Sequence, residues 1–355
     1  MGCWIGFGPD DGAGRGGSGR YGGRVEERRP GLDPAVAEVR RAVRGALAGL
    51  EPGTVVLVAL SGGADSLALA AATAFEAPKL GLRAESVTVD HGLQDGSTDA
   101  AAAAAAKAEA LGLAARVVRV EVGVAGGPEA AAREARYAGL REAARTAGAA
   151  VVVTGHTLDD QAETVLLGLA RGAGAASLQG MAGRADLDGV ALLRPLLAVR
   201  RTTTRAACAA EGLEPWDDPH NADARFARAR ARETVLPVLE SELGPGIAEA
   251  LARTAAQLRE DAEAFDEMID ETIEDIVEHA EAGISVSVAA LAANPAALRN
   301  RIIRHVVASE FHESLTRTQT LEVARLVTDW SGQGPIDLPG CRARRVGGRV
   351  EFTAS

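Results

Sequence analysis

Long apolar runs are missing from this 355-residue chain. No stretch approaches the roughly 20 residues needed to cross a bilayer, and residues 1–30 have no hydrophobic centre of a secretion signal. A cytoplasmic protein with no membrane partner is expected. Cysteine is nearly absent: Cys3, Cys208 and Cys341 are far apart and odd in number. That spacing gives no support to a disulfide framework, a structural zinc site or an iron–sulfur cluster. Lysine is confined to Lys79 and Lys107, and tryptophan and tyrosine are scarce. With so much Ala, Gly, Val and Arg, the codon bias of a GC-rich genome accounts for this. An overall positive charge is also lacking. The net charge of −11 argues against binding nucleic acid through charge alone. A local basic face remains compatible, because salt confines surface fields to about 10 Å. What the chain does have is 47% hydrophobic residues, enough for two or three domains with a sizeable core.

Ser61-Gly62-Gly63-Ala64-Asp65-Ser66 lies between the apolar run 55–60 and an Ala- and Leu-rich helical run from Leu67 to Phe75. That order predicts strand, glycine turn, helix. Glycines let backbone approach a ligand and reach positive φ without a Cβ clash. The helix beyond begins with unpaired N–H groups and a partial positive charge, which suits an anion. Ser61 and Ser66 add hydroxyl donors, and Asp65 can hold a divalent cation or orient a donor. No Gly-Lys-Ser/Thr is present, so this is not the Walker-type loop. A plain glycine turn with a serine cap is the bland alternative. The strand before, the helix after and the Asp-Ser ending weigh against it. The pattern resembles the pyrophosphate loop (PP-loop) of ATP pyrophosphatases, which split ATP into AMP and pyrophosphate and adenylate an oxygen.

Residues 1–32 are Gly-, Arg- and Asp-rich without periodicity and read as a disordered extension. Asp33-Pro34 reads as a helix start, followed by Val36, Val39, Val43 and Leu47 at helical spacing. Strands are then expected at 55–60, 84–89, 115–120 and 150–154. Helices are expected at 67–75, 97–111, 128–148 and 159–170. Near-continuous Val/Leu strands alternating with helices imply an α/β fold, a parallel sheet with helices on both faces. Residues 180–190 read as a loop and 202–212 as a short helix. Further helices are expected at 245–281, 295–311 and 316–330, with a short strand near 284–288 and short strands from Pro335. The boundaries are 33–240 for an ATP-binding catalytic domain, 241–332 for a smaller, mostly helical domain and 333–355 for a short tail.

Two more motifs follow expected strands. Asp90-His91-Gly92-Leu93 comes after the second. Gly155-His156-Thr157-Leu158-Asp159-Asp160-Gln161-Ala162-Glu163-Thr164 comes after the fourth. Asp159 or Asp160 can cap the helix and suit its dipole. A His at a strand end beside a phosphate loop adds chemistry: imidazole can donate to phosphate oxygen, and the carboxylates can hold Mg²⁺ or an amine.

These elements together resemble the tRNA(Ile)-lysidine synthetase family. So do Arg133-Glu134-Ala135-Arg136-Tyr137, Arg171-Gly172-Ala173-Gly174, Gly180-Met181 and Arg194-Pro195-Leu196-Leu197. Further matches are Trp216-Asp217-Asp218-Pro219-His220-Asn221, Arg225-Phe226, the arginines from Arg228 to Arg232, and Leu236-Pro237. The match is dense over about 50–240 and looser to about 330. His220 stands where serine is usual, and Ala229 where asparagine often follows the arginine.

The resemblance implies an adenine nucleotide alpha hydrolase-like PP-loop domain using ATP and Mg²⁺. It implies a ligase acting on the isoleucine tRNA with a CAU anticodon. ATP adenylates C2 of the wobble cytidine, and the ε-amine of free L-lysine displaces AMP. The implied site follows. Ser61, Gly62, Gly63, Ala64, Asp65 and Ser66 hold ATP, and Asp90 and His91 line its pocket. Asp65, His156, Asp159, Asp160 and Arg133 are catalytic, and Asp65 and Asp160 hold metal. Arg136, Arg171, Arg194, Arg228 and Arg232 contact phosphate or tRNA. Surface ion pairing to Glu129 or Glu134 is the bland alternative for Arg133 and Arg136. The arginines at 342, 344, 345 and 349 either grip RNA or are solvated, and a homodimer stays open. Competing functions are a tRNA 2-thiolation enzyme of the same superfamily and a non-catalytic nucleotide- or tRNA-binding module.

Overall fold

A computed structural model of the chain describes residues 31–92, 96–123, 127–172, 174–217, 223–280 and 283–355. The expected extension at 1–32 lies outside them except for its last two residues, as do Leu93, Ala173 and the 218–221 part of the tryptophan motif.

The first half alternates helix and strand: α1 (Pro34–Leu47), β1 (Val55–Ala59), α2 (Ala64–Glu76), β2 (Arg83–Asp90), α3 (Ser97–Ala110), β3 (Ala114–Arg119), α4 (Pro128–Ala147), β4 (Val151–Thr154) and α5 (Leu158–Ala170). Next come α6 (Ala175–Leu178), β5 (Arg184–Leu187), β6 (Val190–Leu193), α7 (Arg201–Ala210), α8 (Ala227–Arg230) and α9 (Leu236–Leu243). Local chemistry sets these elements. At α1, Asp33 accepts the Ala35 amide at 2.8 Å, Pro34 occupies the first turn, and Val36, Val39, Val43 and Leu47 are buried along one stripe.

The sheet order is β3-β2-β1-β4-β6-β5. All neighbours are parallel except β5, which pairs antiparallel with β6. Side chains alternate across the central strands. Val56, Val58, Val151 and Val153 enter a core with α1, α2 and α7. Val55, Leu57 and Val152 enter a second core with Leu140, Ala143 and Ala144 of α4. Burial on both faces is why these strands read as unbroken apolar runs. The chain leaves β1 toward β2 and β3, then crosses back to β4 on the other side. The carboxyl ends of β1 and β4 therefore border the crevice where strand order reverses.

The second half differs from expectation. After the long helix α10 (Ile247–Ile276) come β7 (Val277–Ala280), β8 (Gly283–Ser287), α11 (Val288–Ala293), α12 (Ala296–Phe311), α13 (Arg317–Thr328), β9 (Ile336–Leu338), β10 (Cys341–Val346) and β11 (Arg349–Ala354). The strands form one antiparallel sheet, β7-β8-β11-β10-β9. Residues 333–355 are thus not a tail: they supply three of its five strands. Phe352, Val350, Cys341 and Ala343 are fully buried there against Leu291, Ile302 and Leu326 of the helices. The domain has the expected helices and, in addition, an antiparallel sheet on which they pack. The 180–190 stretch is no plain loop either. β5 and β6 form a hairpin about Asp188-Gly189, both at positive φ, a two-residue turn favoured by Asp-Gly.

Helix α10 joins the halves. Its Ala248 packs with Leu236 and Ala162 of α5, while Ile269 and Ile276 belong to the core of the C-terminal sheet with Phe352 and Val350. Arg259 donates to the carbonyls of Gln179 (2.7 Å) and Gly180 (3.1 Å), fixing α10 against the first domain.

Candidate active site

The turn between β1 and α2 is built for close approach. Gly62 has φ +86°, which L side chains adopt at a cost. Its carbonyl accepts the Trp216 amide at 2.9 Å. Ser66 Oγ donates to Gly63 O (3.0 Å) and accepts the Ser61 amide (3.1 Å), with Ser61 Oγ also at 3.1 Å. The serines therefore brace the bend from inside. No side chain caps α2, whose N-cap is Gly63, so its first amides are free for an anion. Gly155, at the end of β4, faces this bend. A Cβ there would lie 2.9 Å from Asp65 C and Ser66 N, so only glycine lets the two strand ends meet.

His156 follows at once. Its Nδ1 lies 3.0 Å from Thr154 Oγ1. The same hydroxyl lies 3.5 Å from Leu193 O; in the tautomer where it donates to the closer Nδ1, the ring presents an Nε2–H donor. Burial lowers its pKa to about 4; Arg194, Arg228 and Arg136 push the same way against Asp160. The ring is neutral at neutral pH and sits among arginines, which suits donation to phosphate.

Beyond the ring, α5 opens with a capping box. Thr157 is the N-cap, and Asp160 Oδ2 accepts the Thr157 amide and hydroxyl, each at 2.8 Å. The cap is thus Thr157, not Asp159 or Asp160. Asp159 turns away. It accepts three contacts from Arg200 at 3.0–3.2 Å and the Arg201 amide at 2.7 Å. Its carboxylate satisfies the open N-terminus of α7, a structural task.

The centre of the site is an arginine that motif reading did not select. Arg201 reaches Asp65 (Nε to Oδ2, 3.3 Å), Asp160 (Nη2 to Oδ1, 2.9 Å) and Glu163 (3.2 Å from both Nη1 and Nη2). Thr204, one turn on, donates to the other Asp65 oxygen. Arg232 donates to Glu163 at 2.7 and 3.1 Å and to Asp160 at 3.3 Å. Arg228 donates to Thr164 at 3.0 Å and lies 3.8 Å from Glu163. The Glu163 side chain is 0% exposed. Burial pushes the Asp65 carboxyl up, only partly countered by Thr204 and Arg201. Burial opposes the Asp160 charge too, but Arg201 and the Thr157 amide hold that carboxyl below its usual value.

The metal pair expected from the sequence does not fit here as the side chains stand. Every oxygen of Asp65 and Asp160 already accepts a hydrogen bond, and Arg201 lies between them. Among the described residues no group of three or more His, Cys, Asp or Glu is arranged for a metal.

The other candidates separate. Asp90 is spent on its own turn, accepting Gly92 N (2.9 Å) and Thr98 Oγ1 (3.0 Å), and the Gly92 amide leads in holding its pKa down. His91 has a buried Nδ1 without a hydrogen-bond partner. Burial, then Arg136, lowers its pKa. Arg136 thus influences both histidines, while exposed Arg133 stacks on Tyr137 at 5.0 Å. Glu134 pairs with Arg141 instead, at 3.2 Å. Arg194 is buried and donates to Ala182 O at 2.7 Å, with no partner for Nε. Arg171 is exposed past the end of α5. Cys208, in α7, is buried, and burial pushes its pKa up to about 11. That is the wrong direction for sulfur chemistry. Among the described residues no helix is long and apolar enough to cross a membrane.

A parallel sheet with an anion-ready glycine turn at its switch point, faced by a neutral histidine and arginines, defines an ATP-using enzyme of the PP-loop class. Residues 37–239 match the PP-loop domain family, and residues 287–351 match the TilS substrate binding domain. The tRNA(Ile)-lysidine synthase of Leifsonia xyli subsp. xyli is 59% identical over 305 residues, 85% of this chain and 91% of that protein. The tRNA(Ile)-lysidine synthase of Thermobifida fusca is 51% identical over 328 residues, 91% and 99%. The chain belongs to the tRNA(Ile)-lysidine synthase family. A solved U34-tRNA thiolase of Methanococcus maripaludis shares the fold, with a TM-score of 0.55 at 21% identity over 64% of this chain and 80% of that one.

Proposed function

We propose that this chain makes lysidine at the wobble cytidine of the CAU-anticodon isoleucine tRNA in the cytoplasm. The C2 oxygen of the base attacks the α-phosphate of ATP and pyrophosphate leaves. The ε-amine of L-lysine then attacks C2, its proton is lost, and AMP departs with the oxygen. The base then pairs with A instead of G, and the tRNA changes from methionine to isoleucine identity.

One observation carries this reading. An anion-binding half, made of the 61–66 bend, His156, Arg136 and Arg194, adjoins a buried acidic half, Asp160 and Glu163. Such a pair suits a polyphosphate beside a cationic amine. The amides at the start of α2 hold the pyrophosphate. His156 donates to a phosphate oxygen, and the arginines balance charge that grows as the α–β bond breaks. The carboxylates orient the amine and take part in its deprotonation. Burial keeps water from hydrolysing the adenylate. Magnesium would arrive with the ATP phosphates, and no step here depends on it. Arg133 and Arg171, both exposed, are left to meet the tRNA backbone.

The test is mass spectrometry of that tRNA after incubation with ATP and lysine. A gain equal to one lysine less one water is expected. An unchanged mass with folded protein would refute the proposal.

A further inference from the structure

The acidic half of the site is fully neutralised before any substrate arrives. Three carboxylates, Asp65, Asp160 and Glu163, face three guanidinium groups, Arg201, Arg228 and Arg232. Arg201 alone touches all three acids. Its side chain is 18% exposed, and each of its side-chain nitrogens donates to one of them. An ammonium ion needs an acceptor with charge to spare, and in this arrangement none is left.

Arg201 is also placed to leave. Its backbone is anchored, because Asp159 holds its amide at 2.7 Å and the helix behind it buries Thr204, Ala207 and Cys208. Its side chain ends at Asp65, in the first turn of the helix that the phosphate bend opens. A triphosphate bound on that bend offers more charge and a better fork for a guanidinium than a carboxylate does. Rotation of one side chain, with α7 fixed, moves Arg201 from the acids to the phosphates. The acids then keep Arg228 and Arg232 and carry a net charge of −1, room for one ammonium group.

We propose that Arg201 is an internal counter-ion that makes binding of the amine substrate conditional on nucleotide. With the bend empty it blocks Asp160 and Glu163. With triphosphate bound it transfers to the phosphates and releases them. The nucleotide-bound chain is therefore the form that takes lysine more tightly. This rests on the lysidine reading for the identity of the amine.

The experiment is equilibrium dialysis of radiolabelled lysine against the full chain, with and without α,β-methylene ATP, which cannot be cleaved at the scissile bond. The wild type is expected to bind lysine about 10-fold more tightly with the analogue, within the usual range of coupling between sites, and lysine must tighten the analogue by the same factor. In Arg201→Met, which keeps length without charge, the ratio is expected to collapse to about 1. Lysine bound equally with and without analogue by the wild type overturns the gate but leaves the lysidine reading standing. A variant that keeps the full ratio overturns the role of Arg201. Lysine bound under no condition overturns both the gate and the lysidine reading. Should Arg201→Met fail to fold, the wild-type ratio and its reciprocal still decide the gate.

Discussion

Two arginine-rich segments of this chain have opposite fates. Between Arg194 and Arg232, arginines converge from separate elements on buried acids of α5. Arg201 comes from α7 and Arg232 from the turn after α8, and both meet at Glu163, whose side chain is wholly buried. Between Arg342 and Arg349, arginines pair along or across neighbouring strands in solvent. Arg342 meets Asp337 at 2.7 Å and Arg344 meets Glu351 at 2.9 Å, with both arginine side chains more than half exposed. Arg345 lies over Trp330, and Arg349 reaches Glu278. The same residue type in similar density thus builds a buried charge cluster in one place and trims a sheet surface in the other. The burial of the partner decides which. Exposed pairs are worth about 0–1 kcal/mol, whereas removing one member of a buried set leaves uncompensated charge.

Substitutions that set one region against the other sharpen this contrast. The largest effect is expected from Asp65→Ala. Loss of its anchor for Arg201 and Thr204 disorganises the nucleotide site, and ATP-dependent pyrophosphate release should fall by about 10³-fold or more, with circular dichroism unchanged. Glu163→Gln comes next. It leaves three guanidinium groups short of an acid and should cost about 3–5 kcal/mol in urea denaturation. The third concerns pH. As pH falls below 6.5 the unfolded chain protonates His156, while the folded chain resists until about 4. Stability should therefore drop across that window, by at most about 3 kcal/mol, and His156→Gln should remove that part of the slope. The smallest effect belongs to the second region: Arg344→Ala should cost less than about 1 kcal/mol. A loss there as large as that of Glu163→Gln would erase the contrast.

Much of the first domain was legible in the sequence because its signals are local. The apolar strands, the glycine bend and the His-Thr-Leu-Asp-Asp run each carry their meaning within about ten residues, and each forms an element expected from it. What escaped was long-range or disguised. Arg201 sits 136 residues from Asp65. The Arg200-Arg201 pair showed only as local charge, and nothing in it says which acids it will meet. The β5–β6 hairpin had a signal, Asp188-Gly189, hidden in a stretch too short to show alternation. In β10, Cys341 and Ala343 point inward while Arg342 and Arg344 point out; short strands were expected from Pro335, but not that β11 would pair with β8, more than 60 residues back, to make one sheet. Asp159 and Asp160 are neighbours with different fates, because a helix turns successive side chains about 100° apart. One caps α7 and the other faces the site.

The most direct measurement is a crystal structure of the chain with α,β-methylene ATP. The triphosphate should lie on the amides of residues 62–66 with a phosphate oxygen against His156. A nucleotide bound elsewhere, with this bend bare, would contradict the account.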